Sequence, residues 1–392
     1  MIEILNRTAP LFDADFSRCR ADLVSQIRGA RVLIVGGGGS IGRATARQIF
    51  PFEPAELALV DISENNLVET VRDLRSSYEN DVTTLTSLAL DVGGKEFAAW
   101  SGQVASFDYI LNFSALKHVR SESNSFTISR MIDVNIFNAV NLAQLAQRWK
   151  AKKYFCVSTD KATNPENIMG ASKRIMELFL FNESQKQSIS FARFANVAFS
   201  DGSLLDGFRR RVEARQPLSA PCDVQRFFVT TEEAARLCLF SCFLGENREI
   251  FFPKLTIEEH GTTFMDIAKK YMASLGYKAV SFPSAEEARQ NIGIIDEKCW
   301  PCYFFESDTT GEKSAEEFYT ENDNVDFLKF EDVGVIGNEL YSNDTGLSEF
   351  RCQVDAWRAK ESWRKREIVE IFMRLVPNFS HVEKNKYLDQ KM

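Results

Sequence analysis

A carboxyl and an amine stand side by side in Ser158-Thr159-Asp160-Lys161, preceded by two hydroxyls. One group that gives a proton beside one that takes it is the minimum equipment for general acid–base chemistry, provided their pKa values are held apart. Further on, Met169 and Lys173 are spaced to share one face of a helix. A different constellation lies near the start: Val35-Gly36-Gly37-Gly38-Gly39-Ser40-Ile41-Gly42. Glycine is needed where a chain turns tightly and where a pyrophosphate must approach the backbone. A helix beginning at Ser40 would offer free amides and a partial positive charge to those phosphates. The next apolar run ends in Asp61. Its carboxylate suits the hydroxyls of an adenosine ribose and repels a 2′-phosphate, which favours NAD over NADP. A helix N-terminal acid is the plainer reading of Asp61. Asp91 and Val92 end a third run, where the adenine would sit or where ordinary turn chemistry would place them.

These residues need a scaffold that brings them to one crevice. Arg31-Val32-Leu33-Ile34-Val35 is a short apolar run of the kind a buried parallel strand requires. Similar runs recur at 57–60, 85–90, 109–111, 154–157 and 190–197, with helical patterns at 40–50, 64–77, 94–101, 124–149 and 167–186 between them. This alternation predicts an α/β fold, a doubly wound parallel sheet. Carboxyl ends of its strands face the ligand crevice, so 158–161 should point into it. The expected division is a helical extension over 1–30, a dinucleotide-binding domain over 31–200, and a smaller substrate lobe with a C-terminal extension over 201–392. Segment 306–346, rich in Asp, Glu, Thr, Asn and Gly, reads as long loops. Ile368, Ile371, Phe372 and Leu375 share one face of a closing helix, which docks on the core and leaves its basic residues solvated.

Composition narrows the partners. The chain has 392 residues, 44% hydrophobic and 26% charged, enough for a sizeable core. Acidic residues outnumber basic ones, 55 to 47, which argues against nucleic acid as the main partner. No apolar run reaches the roughly 18 residues of a membrane span. The acidic N-terminus, interrupted by Pro10, does not read as a signal peptide, and a cytoplasmic protein is expected. The eight cysteines read as reduced thiols. Cys299-Trp300-Pro301-Cys302 has dithiol spacing, but the aromatic stretch after it reads as a strand rather than the helix a redox motif opens. The three histidines are scattered, so no metal site is expected.

The Gly36-x-x-Gly39-x-x-Gly42 spacing resembles that of the extended short-chain dehydrogenase/reductase superfamily. There the helix normally carries Tyr-x-x-x-Lys, and the tyrosine takes a hydroxyl proton. Met169 stands in its place and has no exchangeable proton. The stretch STDKATNPENIMGASKRIMELF closely resembles the nucleotide-sugar 4,6-dehydratases of polysaccharide and glycan biosynthesis, one subgroup of which carries methionine here and remains active. The resemblance covers most of the chain. It includes Ser114-Ala115-Leu116-Lys117-His118-Val119, Asn135, Arg193-Phe194-Ala195-Asn196-Val197, Gln225-Arg226-Phe227-Phe228, Gly311-Glu312-Lys313 and Leu388-Asp389-Gln390-Lys391-Met392. Departures are Val35, where threonine is usual, and segment 245–300, which matches no part of the family pattern.

The resemblance implies transient oxidation at carbon 4 of a hexose, loss of water across carbons 5 and 6, and reduction at carbon 6, with NAD regenerated. UDP-N-acetylglucosamine is the implied substrate, and retention at carbon 5 goes with the methionine subgroup. Asp160 would protonate the leaving hydroxyl and Lys161 would take the carbon 5 proton. Lys161 must then be neutral, its pKa lowered by desolvation or by Lys173. Thr159 would relay the carbon 4 hydroxyl proton to water or Asp160, although Ser158 and Thr159 could simply cap a turn. Met169 would pack against the sugar, completing a catalytic set of Thr159, Asp160, Lys161, Met169 and Lys173. Gly36, Gly39, Ser40, Ile41, Gly42, Asp61, Asp91, Val92, Ser114 and Lys173 would hold NAD, Lys173 at the nicotinamide ribose. Lys117, His118, Ser158, Asn196, Arg226 and one of Arg209 and Arg210 would hold the sugar and its diphosphate. Glu312 and Lys313 are further nucleotide contacts. Homo-oligomers are expected, meeting through the helices near 124–149 and 167–186. The competing readings are a 4-epimerase, against which Met169 counts, and a non-catalytic NAD-binding scaffold, against which an intact Thr159-Asp160-Lys161 counts.

Overall fold

β1 (Arg31–Val35) is buried on both faces, with Val32 and Ile34 entering one core and Leu33 and Val35 the other. A strand sealed on both sides has no polar face to alternate, which is why its sequence is a continuous apolar run. In the computed structural model, which describes residues 1–307, 316–340 and 343–381, β1 pairs in parallel with β2 (Glu56–Asp61) and β4 (Tyr109–Asn112). β3 (Thr84–Ala89) extends the β2 side, and β5 (Lys153–Thr159) and β6 (Ile189–Phe194) extend the β4 side, all in parallel. The nine-stranded sheet therefore runs β3-β2-β1-β4-β5-β6 and continues into Ile250–Pro253, Val333–Gly337 and Asn324–Asp326. Its order reverses between β1 and β4, the place where doubly wound sheets open a ligand crevice. The predicted fold class is the one observed.

The large sheet also takes strands from beyond residue 200. Ile250–Pro253 returns to pair in parallel with β6, and Val333–Gly337 joins it antiparallel. Segment 306–346 is thus not loops alone: Val333, Val335 and Ile336 are apolar and buried in the sheet. What remains of the later chain forms a smaller layer. Leu218–Pro221, Cys299–Phe305 and Lys278–Phe282 make a separate parallel sheet, with Phe208, Met272 and Trp300 in its core. Cys299 and Cys302 both lie on its central strand as free thiols, so neither opens a helix.

The helix Ile168–Glu183 is buried around almost its whole circumference within one chain. Phe179 meets Phe350 edge-on, and Phe350 meets Phe372, so the helices Asp344–Ala359 and Lys365–Leu375 pack against it. Ile368, Ile371, Phe372 and Leu375 are buried as their spacing predicts. No helix among the described residues is long and apolar enough to cross a membrane.

Candidate active site

The glycine loop is shaped by contacts that leave no room for side chains. Gly36 has φ +80°, and a Cβ there would lie 2.9 Å from the backbone of Phe113 and Ser114. A Cβ on Gly42 would come within 2.1 Å of the Gly36 carbonyl oxygen, so only glycine lets the helix Ser40–Ile49 start this close to β1. Gly38 N–H donates to Asp61 Oδ2 at 3.0 Å, and Ser63 N–H donates to Oδ1 at 2.9 Å. Asp61 thus closes the loop from the end of β2 while staying half-buried. Ser114 donates to Asn112 Oδ1 beside it. Asp91, two residues past the end of β3, accepts from Gly93 N–H and pairs with Arg130, and Val92 packs on the core. A cradle that Cβ atoms would fill, a helix start and a carboxylate at the next strand end together fit a dinucleotide.

Beyond the loop lies a cleft of about 590 Å³. β5 ends at its floor and hands the chain to a single turn, Asp160–Ala162. Asp160 is buried, accepting from Thr159 Oγ1 at 2.7 Å and from Lys161 Nζ at 3.1 and 3.2 Å. The Lys161 side chain is 28% exposed, open to the cleft. Gly170 permits this approach: a Cβ there would lie 2.2 Å from the Lys161 carbonyl oxygen. Met169 and Lys173 line the cleft one turn apart. Lys173 Nζ donates to the Val157 carbonyl at 3.1 Å, and burial pushes its pKa down. Asn135 secures the neighbouring loop, accepting from Leu116 N–H and donating to Ser172 Oγ.

The expectation of a lowered Lys161 pKa is corrected. Burial does press it down, but Asp160 and Glu316 outweigh burial and the pKa is raised. Glu316 was not singled out in the sequence. Its carboxylate accepts from Phe227 N–H at 2.6 Å and from Asn196 Nδ2. Burial and the nearby Asp160 charge push its pKa up to about 7. Beneath the cleft is a second group missed from sequence. Glu177 is fully buried and accepts from Arg193, Arg174 and Ser158 Oγ, the last at 2.6 Å. Burial raises its pKa, but Arg193 above all overcomes this and holds it at about 2. Arg193 also donates to Thr163 Oγ1 and to the Phe318 carbonyl, tying in the segment that carries Glu316.

Of the residues expected at the substrate, Lys117, His118, Ser158, Asn196, Arg210 and Arg226 line this cleft, with Ile41 from the glycine loop. Ser158 spends its hydroxyl proton on Glu177. Arg209 is not among the lining residues; it pairs with Asp206 and its side chain is 53% exposed. Arg211, one residue past Arg210, is among them. Gly311, Glu312, Lys313 and residues 388–392 lie outside the described residues. Among the described residues no group of His, Cys, Asp and Glu is arranged to hold a metal.

Residues 32–336 match the model of a family described as polysaccharide biosynthesis protein. An uncharacterized membrane protein of Methanocaldococcus jannaschii, MJ1061, is 28% identical over 80% of this chain and 88% of its own. The probable polysaccharide biosynthesis protein EpsC of Bacillus subtilis is 30% identical over 67% of this chain, which spans only 44% of that longer relative. The UDP-N-acetylglucosamine 4,6-dehydratase (inverting) of Campylobacter jejuni is 25% identical over 70% of this chain and 80% of its own. A UDP-glucose 4-epimerase of Rickettsia canadensis is 23% identical over 57% and 65%. Among solved structures, Pen from Bacillus thuringiensis superposes with a TM-score of 0.65 at 20% identity, covering 85% of this chain and 98% of its own. DesIV, a dTDP-glucose 4,6-dehydratase from Streptomyces venezuelae with NAD and TYD bound, reaches 0.54 at 18% identity, covering 74% and 88%. These structures share the fold.

Proposed function

Because the chain belongs to the polysaccharide biosynthesis protein family, we propose that it is an NAD-dependent nucleotide-sugar 4,6-dehydratase acting on UDP-N-acetylglucosamine. NAD, held by the glycine loop, Asp61 and Lys173, supplies reversible oxidation at carbon 4 when bound. The observation that carries the reading is an acid–base pair facing the cleft next to Met169, where a proton-taking tyrosine is missing. Carbon 4 chemistry alone needs no such pair. Elimination across carbons 5 and 6 needs both members of it.

The protein's own groups can balance every proton. Thr159 Oγ1, already bonded to Asp160, relays the carbon 4 hydroxyl proton to that carboxylate. The ketone formed at carbon 4 acidifies the hydrogen on carbon 5. Lys161, as a neutral amine, takes that proton. Asp160 gives its own to the carbon 6 hydroxyl, which leaves as water. Lys161 returns its proton to carbon 5 as carbon 6 is reduced, so both side chains end as they began. Met169 packs beside the sugar, and Ser158 keeps two lone pairs for it. Arg226, Arg210 and Asn196 offer donors to the diphosphate, while Lys117 and His118 stand on the sugar side of the same cleft.

A 4-epimerase needs only the carbon 4 proton transfer, which Thr159 and Asp160 can serve, and gives the cleft-facing Lys161 no proton to take. A non-catalytic scaffold gives no reason to bury Asp160 beneath a cleft-facing lysine. The test is to incubate the protein with NAD and UDP-N-acetylglucosamine and weigh the nucleotide sugar. A product lighter by one water supports the dehydratase. An isomer of unchanged mass, or unaltered substrate beside bound NAD, contradicts it.

A further inference from the structure

The cleft holds a set of donors suited to an anion, and a carboxylate of the protein already uses them. Asn196, Arg226 and Glu316 all line the cleft. Glu316 Oε2 accepts from Phe227 N–H at 2.6 Å, and its other oxygen accepts from Asn196 Nδ2. Arg226, the residue before Phe227, acts on the same carboxylate through its charge. A backbone N–H, an amide and a guanidinium at one place are the donors that phosphate oxygens take. An amide nitrogen has only two hydrogens to give. Asn196 Nδ2 spends its second on the Phe227 carbonyl at 3.2 Å, so while Glu316 stays in place it has none for a phosphate. The segment is anchored two residues further on. The Phe318 carbonyl accepts from Arg193, and its buried ring stacks on Phe227 and Phe252 with centroids 6.0 and 5.8 Å apart. Glu316 can therefore withdraw by turning its own side chain while Phe318 stays where it is. Burial and the Asp160 charge oppose its ionisation, so its anion is held against these donors at a cost.

We propose that the Glu316 carboxylate is a built-in competitor of the nucleotide: it occupies the donors of Phe227 and Asn196, and a phosphate of the substrate takes them only by displacing it. The inference rests on the nucleotide-sugar reading for the identity of the incoming anion. It adds the Phe227 N–H to Asn196 and Arg226 as a phosphate donor. In this role Glu316 takes no part in bond making. It sets the affinity of phosphate-bearing ligands and leaves that of a bare nucleoside alone.

Calorimetric titration of the NAD-saturated protein with UDP, and with uridine as the phosphate-free control, tests this. Glu316→Ala should bind UDP about tenfold more tightly, the gain from one hydrogen bond to a charged group that no longer has to be exchanged, with uridine affinity unaltered. Glu316→Gln, which keeps the size and one acceptor for Phe227 N–H, should gain by a smaller factor in the same direction. A double-mutant cycle separates competition for donors from simple relief of charge repulsion. Asn196→Ala should weaken UDP little when Glu316 is present and about tenfold in Glu316→Ala, whereas repulsion alone gives additive effects. UDP bound no more tightly by either Glu316 variant, uridine gaining by the same factor as UDP, or additivity in the cycle would overturn the proposal. The expected gain in a protein that never releases water from UDP-N-acetylglucosamine would support the competitor and refute the dehydratase reading. Water loss with UDP affinity unmoved by Glu316→Ala would do the reverse.

Discussion

Two carboxylate–cation pairs meet at the end of β5, one sealed and one open. Glu177 and Arg193 have side chains 0% and 3% exposed, and Arg174 adds a second guanidinium to the same carboxylate. Asp160 is as deeply buried at 1%, but its partner Lys161 is 28% exposed and also feels the charge of Glu316. Where cations exceed carboxylates, burial costs are offset and the carboxyl is locked as an anion, here at about 2. Where two carboxyls compete for one ammonium, one is driven toward its neutral form, here Glu316 at about 7. The same residue types thus give a carboxylate locked as an anion in one place and a carboxyl pushed up to about 7 in the other, decided by the local charge count.

The sharpest way to break this contrast is to remove each pair in turn. Lys161→Met should lower turnover by roughly 10³-fold, within the range for loss of a general base, and should also lower thermal stability by leaving the buried Asp160 without its ammonium. Glu177→Gln should bear first on stability, costing roughly 3–5 kcal/mol by leaving Arg193 buried without its anion. Its effect on pH dependence follows from sign. The folded pKa lies below the ordinary 4.5, so the stabilisation is full above pH 4.5 and lost as pH falls toward about 2. Acid unfolding curves of Glu177→Gln should lack that limb. Ser158, two residues before Asp160, donates to Glu177. Ser158→Ala should cost about 2 kcal/mol in chemical denaturation, the usual value for a bond to a charged group. It should also reduce kcat about tenfold, a smaller loss than removal of Lys161. Arg209→Ala serves as the surface control. Its side chain is 53% exposed and outside the cleft lining, and its partner Asp206, which does line the cleft, keeps Arg210 as a second cation, so stability should change by less than about 1 kcal/mol, with steady-state rates unaltered.

The sealed and open pairs also mark how far the sequence could be read. The glycine loop and Thr159-Asp160-Lys161 were legible because their geometry is local: a strand end, a turn and a helix start fix them within a few residues. Glu316 was hidden for the opposite reason. It sits in a polar, acidic segment, and only contacts from Phe227, Asn196 and Arg193, far away in the chain, turn it into a cleft residue. The strand Val333–Gly337 was missed in the same segment although Val-Gly-Val-Ile is an apolar run. Flanking acids and asparagines outweighed it. Glu177 did leave a signal. A helix with Ile175, Met176, Leu178 and Phe179 on every side of it has no solvent face, so a carboxylate there had to find buried cations. The raised Lys161 pKa depends first on Asp160, its neighbour in the sequence, and then on Glu316, which only the fold brings near.

The measurement that bears most directly on the open pair is turnover of UDP-N-acetylglucosamine in heavy water, read by mass and by the carbon 5 proton resonance. Removal of the carbon 5 hydrogen by an amine in contact with solvent predicts a product that has lost water and carries deuterium at carbon 5, with Lys161→Met giving neither change. An isomer of unaltered mass, or water loss that continues undiminished in Lys161→Met, would contradict the account.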